Sequence, residues 1–369
     1  MKEKKKGISE NRVCRWWNIA TIGIIVLVLT FVGAYTGYID PCFHYHAPLT
    51  NLFYPLYSQR YQNNGIAKHF DYDAMIVGTS MTENFKTSEV DALFGCHAVK
   101  TSFSGAYMRE LADQMQTAYD TGHNVKMIIS TLDGYMLEVK DAESYNPIYT
   151  YPTYLYDKNV FNDVAYLLNK NIFLNMAIDG VYDRADGTPQ TTSFDDYSFW
   201  STPDMGGKDV LLSEYEWQNY TYAKAWNEES LPENWYKQAE NVLQSNLIPL
   251  IEQHPETEFY LFIPPYSIYD WDSTRESGSI AMRIAKQQAI IEALLPYENV
   301  RLFSFYDAYD IVTNANNYRD TAHYKANVNS VILQWMAEGK HQLTQKNYED
   351  YLANITHFYA SYDYKKLHG

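Results

Sequence analysis

The stretch Ala74–Ser80, AMIVGTS, decides the fold of this chain. A short apolar run that closes in Gly-Thr-Ser is typical of a buried parallel strand that ends at a functional loop. Similar runs follow at Ala98–Thr101, Lys126–Thr131, Glu258–Ile263 and Val300–Phe303. Helical patterns separate or follow these runs near residues 107–121, 235–252, 280–295 and 325–342. The alternation predicts a three-layer α/β/α domain with a mainly parallel sheet, whose active site lies at the carboxyl ends of the strands.

The remaining segments are assigned by their composition. Residues 39–70 have no strong period and carry three prolines, so we interpret them as a juxtamembrane arm. The α/β domain is expected over residues 71–345. Residues 135–235, rich in Tyr, Asp, Asn and Pro, are expected to form an insertion with a helix near 160–178 that shapes a substrate cleft. Residues 346–369 are assigned to a C-terminal tail.

The segment Ile19–Tyr38 carries no charged residue and has the length needed to cross the hydrocarbon core of a membrane. Basic residues precede it and Asp40 follows it, which places residues 1–18 in the cytoplasm. The sequence therefore predicts a single-pass protein of the cell membrane with an extracellular globular domain. A cleaved signal peptide is the alternative, although the apolar run is longer than a signal peptide needs and no clean cleavage site follows it.

Composition narrows the function classes. The net charge of −16 argues against a nucleic-acid partner, because phosphate binding requires clustered Lys and Arg, and the dense basic cluster lies before the apolar segment. The 35 tyrosines suit a surface that handles sugars, or equally a role in packing and solubility. Of the three cysteines, Cys42 and Cys96 could form a disulfide, but spacing alone leaves the pairing open.

Two strand ends carry residue types that acyl transfer requires. Ser80 follows the first core strand, where its hydroxyl can project into a crevice. Near the other end of the chain, Asp320 precedes His323 by three residues, so one loop can supply a base and the carboxylate that orients it. Each motif alone is weak, since Gly-x-Ser also occurs as a turn with a helix cap and Asp-x-x-His also occurs on surfaces. Their joint occurrence in this order predicts a catalytic triad.

These motifs resemble those of the SGNH/GDSL hydrolase superfamily over about residues 73–339, the insertion excepted. The resemblance implies a serine block at Gly78–Ser80, a glycine block at Gly105, and an oxyanion hole formed by Ser80, Gly105 and the position of Asp133. Asp133 is a departure, because Thr131–Gly134 stands where Gly-x-Asn-Asp is expected. An ionised carboxylate would repel an oxyanion, so Asp133 must be protonated or turned away, or another group must donate.

Within this superfamily, an N-terminal anchor followed by an exported domain is similar to the proteins of lipoteichoic acid D-alanylation and alginate O-acetylation. The segments Leu261–Tyr266 and Asp320–Tyr324 carry that likeness. It implies a serine esterase or O-acyltransferase without a cofactor, acting on acyl esters of a cell-envelope polysaccharide or teichoic-acid-like polymer beside a membrane-bound O-acyltransferase. The alternative is a catalytically weak domain that binds such a polymer or the acyltransferase partner.

Several further residues are considered for the site. Asn84 is expected in the first turn of the helix after Ser80, from which it could face the substrate. Arg109 could hold an anionic substrate group, or be an ordinary surface arginine, and Tyr324 follows the candidate base. His44 and His46 form a His-x-His beside the membrane, and no further ligand at suitable spacing accompanies them, so we expect a structural use and no metal site.

Overall fold

The computed structural model of the protein describes residues 3–214 and 235–367. The chain divides into two compact units. One consists of residues 1–55 and 152–192, and the other of residues 56–151 and 193–369. The predicted insertion is thus shared between the two units, and its residues 215–234 lie outside the described residues.

The first unit is organised around the long N-terminal helix α1 (Glu3–Ile39). Its segment Arg12–Ile39 is long and apolar enough to cross a membrane, and only a small part of it is buried. A two-stranded antiparallel ribbon of β1 (Leu52–Phe53) and β5 (Tyr182–Asp183) belongs to the same unit. The helix predicted near 160–178 is in fact two pieces, α5 (Val164–Leu167) and a π-helical stretch Ile172–Ile178, and both contact α1.

The second unit contains a mostly parallel sheet, as the sequence predicts, and the sheet has six strands, one more than predicted. Its strands are β2 (Ala74–Val77), β3 (Ala98–Lys100), β4 (Met127–Thr131), β6 (Glu258–Ile263), β7 (Val300–Ser304) and β8 (Gln342–Leu343). The strand order is β3-β2-β4-β6-β7-β8, and only β8 runs antiparallel to its neighbour. From β2 the chain continues to β3 on one side of β2 and then to β4 on the opposite side, so the strand order reverses beside β2. A crevice at the carboxyl ends of β2 and β4 follows from this reversal.

Helices connect and cover these strands. In chain order they are α2 (Gln59–His69), α3 (Thr87–Phe94), α4 (Met108–Asp120), α6 (Lys208–Glu214), α7 (Trp235–Val242), α8 (Ile248–Gln253), α9 (Ile268–Glu276), α10 (Ile280–Leu294), α11 (Tyr309–Val312), α12 (Ala326–Glu338) and α13 (Tyr348–Ser361). Contacts join α3 to α12, and they join α4 and α8, α7 and α10, and α10 and α13.

Three predicted elements need correction. The last predicted helix ends at Glu338 because Gly339 adopts a left-handed conformation with φ 68°, and Gln342 then begins β8. The predicted helix at 235–252 is interrupted by a π-helical stretch, Leu243–Leu247. The predicted tail contains α13, which is docked through buried tyrosines: the hydroxyl of Tyr359 donates to the carbonyl of Tyr306 at 2.6 Å.

The predicted juxtamembrane arm is also more ordered than its sequence suggests. It contains α2, whose buried face is polar and includes Arg60, Gln62, Asn63 and Asn64. An apolar helical period is therefore missing from this segment, although it folds as a helix against α4. The three cysteines of the chain are free, so Cys42 and Cys96 do not form a disulfide.

Candidate active site

Ser80 lies in a tight turn directly after β2. A Cβ atom on Gly78 would lie 2.6 Å from the side chain of Thr82, so the turn can close only over glycine. The backbone N–H and the hydroxyl of Thr82 both donate to the carbonyl of Thr79, at 3.0 and 2.9 Å. These bonds hold Ser80 at the crest of the turn, where it is half-buried.

Two sets of buried hydrogen bonds fix the backbone that follows Ser80. The ammonium of Lys100 in β3 donates to the carbonyls of Glu83 and Phe85 at 2.6 and 2.9 Å. The carbonyl of Met81 accepts from the hydroxyl of Tyr324 at 2.9 Å and from the amide of Asn329 at 3.0 Å. The residue after the candidate nucleophile is thus bonded to the residue after the candidate base.

The candidate base lies in a loop that closes on itself before α12. The backbone N–H of Arg319 donates to the carbonyl of His323 at 2.8 Å, and Tyr318 is fully buried with its hydroxyl on the carbonyl of Pro265. Gly206 packs directly against this loop: it has φ +68°, and a Cβ atom there would lie 2.2 Å from the carbonyl oxygen of Tyr318. The loop therefore depends on a glycine more than 100 residues earlier in the chain.

The structure brings Ser80, His323 and Asp320 together in one hydrogen-bonded chain. Oγ of Ser80 lies 2.8 Å from Nε2 of His323, and Nδ1 of His323 lies 3.0 and 2.9 Å from the two carboxylate oxygens of Asp320. The carboxylate also accepts the backbone N–H of Ala322 at 3.0 Å and that of His323 at 2.7 Å. With Nδ1–H donated to Asp320, Nε2 is left as the acceptor for the serine proton.

The electrostatics of this pair suit a general base. Desolvation opposes the charge on His323, but the hydrogen bond and the negative charge of Asp320 outweigh it, so the pKa of His323 is raised above 6.5. Desolvation alone would raise the pKa of Asp320, but hydrogen bonds from His323 lower it below its ordinary value. An ionised Asp320 therefore stabilises the protonated form of the His323 imidazole.

Asp133 lies after β4, beside the Ser80 turn, and is completely buried. Its carboxylate accepts three hydroxyl protons, from Thr79 at 2.6 Å, from Thr131 at 3.2 Å and from Tyr266 at 2.5 Å. Desolvation outweighs these bonds, so the pKa of Asp133 is raised. The side chain is an acceptor satisfied by its neighbours, which is the opposite of the donor that an oxyanion hole requires.

The loop of Gly105 is supported from α2. Gly105 has φ +62°, and a Cβ atom there would lie 2.7 Å from the ring of Tyr149. Oε1 of Gln59 accepts the backbone N–H of Ser104 at 2.8 Å, and the guanidinium of Arg60 donates to the carbonyl of the same residue at 2.9 Å. The segment interpreted as a juxtamembrane arm thus contributes its second half to the candidate site.

Trp200 forms one wall of the site. Its ring meets the imidazole of His323 edge-on at a centroid distance of 5.8 Å, and the guanidinium of Arg319 lies 4.9 Å from the Trp200 ring centroid. The amide oxygen of Asn84 accepts the backbone N–H groups of Trp200 and Ser201, both at 3.1 Å. Asn84 is buried and precedes α3, so it orders the Trp200 wall and does not start the helix as expected.

Two other predicted binding residues are engaged elsewhere. Arg109 forms ion pairs with Asp113 and Glu143, which neutralise it within the chain. Tyr324 is 1% exposed, and its hydroxyl is committed to the carbonyl of Met81. Both residues therefore make structural contacts, and Tyr324 is closed to solvent.

No family model matches this chain, and no curated protein matches it.

Some residues of the site leave little trace in the sequence. Lys100 stands inside an apolar run, and a charged residue within a buried strand is the signal that indicates a specific partner. Gly206 and Gly207 form a Gly-Gly pair that indicates a turn, but its contact with residues 318–319 is long-range. Trp200 and Gln59 are placed by tertiary contacts that no local pattern encodes.

Proposed function

We propose that the protein is a serine-dependent esterase or O-acyltransferase with Ser80 as its nucleophile. The observation that carries the proposal is the hydrogen-bonded chain from Ser80 through His323 to Asp320. His323 takes the proton of Ser80 as the hydroxyl attacks an ester carbonyl, and it returns that proton to the leaving alcohol. The acyl-enzyme then transfers its acyl group to water or to another hydroxyl group, with His323 again as the base.

Backbone donors fit the role of the oxyanion hole better than Asp133 does. The N–H groups of Ser80 and Gly105 are the donors that we propose, since the carboxylate of Asp133 is occupied by three hydroxyl groups. The sequence resemblance to SGNH hydrolases supports this arrangement. It also supports an acylated envelope polysaccharide or teichoic-acid-like polymer as substrate, with α1 as the anchor, the second unit outside the cell, and a membrane-bound O-acyltransferase as partner.

One observation favours a second candidate, a domain that binds such a polymer or partner with little turnover. Asp133 adds a buried carboxylate close to the position where negative charge would develop. A site of this kind would keep the triad geometry and lose much of its rate.

Labelling with a fluorophosphonate probe separates the two candidates. The full-length protein in detergent should be labelled, and Ser80→Ala and His323→Ala should abolish the signal. His341→Ala is the matched control, because Nδ1 of His341 lies 2.7 Å from Asp307 in a comparable His–Asp pair that begins β8, at the edge of the sheet. A native protein that resists the probe would sink the enzyme proposal and leave the binding function.

A further inference from the structure

The segment 157–178 of the first unit exposes an unusual number of apolar side chains. Phe161 is 89% exposed and Val160 is 70% exposed. Four more large apolar residues of the segment are exposed as well, namely Val164, Leu168, Leu174 and Ile178. Contiguous apolar surfaces of this kind are rare on proteins that face only water, and they mark sites of contact with a protein, a ligand or a membrane.

The same segment packs on the apolar helix α1. A Cβ atom on Gly37 would lie 3.3 Å from Leu167, and one on Gly33 would lie 3.7 Å from Leu168. Between these two glycines, the ring of Tyr35 meets the ring of Phe173 edge-on, with centroids 5.9 Å apart. Gly33 and Gly37 form the small-xxx-small pattern with which membrane helices pack closely, and here leucines of the same chain occupy it.

These contacts place the segment beside the C-terminal part of α1. If the span runs over residues 19–38, Gly33 is five residues from its end, or about 7 Å at 1.5 Å per residue. Interfacial elements bury their apolar faces by about 5–10 Å into the headgroup and acyl boundary. An open groove of about 730 Å³ between α1 and the segment, lined by Leu29, Val160 and Phe161 among others, continues the lipid-facing surface of α1.

Two carboxylates at this end of α1 are paired within the unit. The buried carboxylate of Asp40 accepts the N–H groups of His44, Tyr45 and His46 at 2.7–3.0 Å, and the hydroxyl of Tyr166 at 2.6 Å. Asp163 accepts from the hydroxyl of Tyr45 at 3.0 Å and contacts His44 at 3.3 Å. Internal pairing of polar groups beside an outward apolar face is what a region with little water requires.

From this combination we infer that segment 157–178 is a second membrane contact, which inserts its apolar side chains among lipid acyl chains at the C-terminal end of α1. The bilayer is the occupant, because the exposed face continues the apolar surface of α1 and the packing motif of α1 is already filled by Leu167 and Leu168. This inference goes beyond the proposed reaction and does not depend on it.

The test uses the full-length protein in lipid nanodiscs with an environment-sensitive fluorophore on an introduced cysteine. Phe161→Cys is compared with Val26→Cys, which reports the middle of α1, and with Lys346→Cys, which reports the exposed start of α13. All three carry Cys14→Ser, and the parent without an introduced cysteine gives the background from Cys42 and Cys96. Phe161 is almost wholly exposed, so its replacement leaves the packing intact, and thermal unfolding of each variant checks this.

We expect the probe at residue 161 to be quenched by lipids with a spin-labelled acyl chain to about half or more of the extent seen at residue 26, as its interfacial depth requires. It should also resist aqueous iodide, whereas the probe at residue 346 should show the reverse. Iodide quenching at residue 161 equal to that at residue 346 overturns the inference, even where residue 26 lies in lipid and the anchor stands. A probe at residue 26 that also faces water removes the span on which the inference rests and overturns it too.

Discussion

Replacing Asp320 by Asn tests whether the carboxylate beside Nδ1 of His323 sets the tautomer of the candidate base. The carboxylate lies 2.9–3.0 Å from Nδ1 of His323 and accepts two backbone N–H groups. An amide can keep the backbone bonds, but its NH₂ group then faces Nδ1 and favours the tautomer with the proton on Nε2. That proton points at Ser80, so His323 can no longer accept from it.

The magnitude follows from what is lost. General-base catalysis and the orientation of the base together contribute about 10²–10⁴-fold, or about 3–5 kcal/mol of transition-state stabilisation. Because the backbone bonds can persist, stability should change little. We therefore expect the second-order rate of fluorophosphonate labelling to fall by about 10²–10⁴-fold, with an unfolding temperature close to that of the native protein.

The assay is time-resolved labelling of full-length protein in detergent at several pH values. Asp307→Asn is the matched control, since it removes the carboxylate partner of His341 without touching Ser80. Labelling of Asp320→Asn at the native rate, or an equal loss of labelling rate in Asp307→Asn, would contradict a role for Asp320 as the partner that orients His323.

Three further predictions concern pH, backbone and buried charge. Labelling of Ser80 should rise with pH through a midpoint above 6.5, because only neutral His323 accepts the serine proton and Asp320 raises the pKa of His323; a midpoint below 6.5 in a pH–rate profile contradicts this. Gly206→Ala should lower the free energy of unfolding by more than about 2 kcal/mol in a denaturant titration, whereas Gly122→Ala, also at positive φ but in open space, should cost only about 1 kcal/mol. Burial lowers the pKa of Lys100 from 10.5 to about 7, so the unfolded chain binds the extra proton between these values and stability should rise with pH across that window. The unfolding free energy of Lys100→Met should lack that rise. If this variant keeps the pH dependence of the native protein, the lowered pKa of Lys100 is not the cause of the rise.

The parallel sheet and the residues of the candidate triad could be picked out because their sequence signals are local. Strands β2, β4 and β6 are largely apolar runs, and Ser80 stands three residues after the end of β2. The spacing of Asp320 and His323 within one loop is likewise local. Both signals can be recognised in the sequence without knowing which segments contact one another in the fold.

Two of the helices that were missed, α2 and α13, bury polar or tyrosine-rich faces. Helix α2 buries Arg60 and Asn63 and therefore shows no apolar period. Helix α13 docks through Tyr351 and Tyr359, which are as typical of a solvated surface as of a core. Much of the tyrosine content is thus used for buried hydroxyl hydrogen bonds, a role that composition alone does not distinguish from sugar binding.

Asp133 shows a different limit of sequence reasoning. The sequence marks it as a departure from the expected asparagine and leaves its state open. Only the positions of Thr79, Thr131 and Tyr266 show that its oxygens are occupied by hydroxyl donors. Two of these three donors come from other segments of the chain, so no local motif contains the answer.

The two bonds that join Ser80 to His323 and Met81 to Tyr324 have a consequence for biosynthesis. A ribosome makes residue 80 long before residue 323, and Asn329, which also holds Met81, comes later still. In the emerging chain, Ser80 therefore lacks its hydrogen bond to His323, and Met81 lacks its bonds to Tyr324 and Asn329, until these residues are made. The hydrogen bond between Ser80 and His323 forms only when the C-terminal part of the chain folds back onto residues made much earlier.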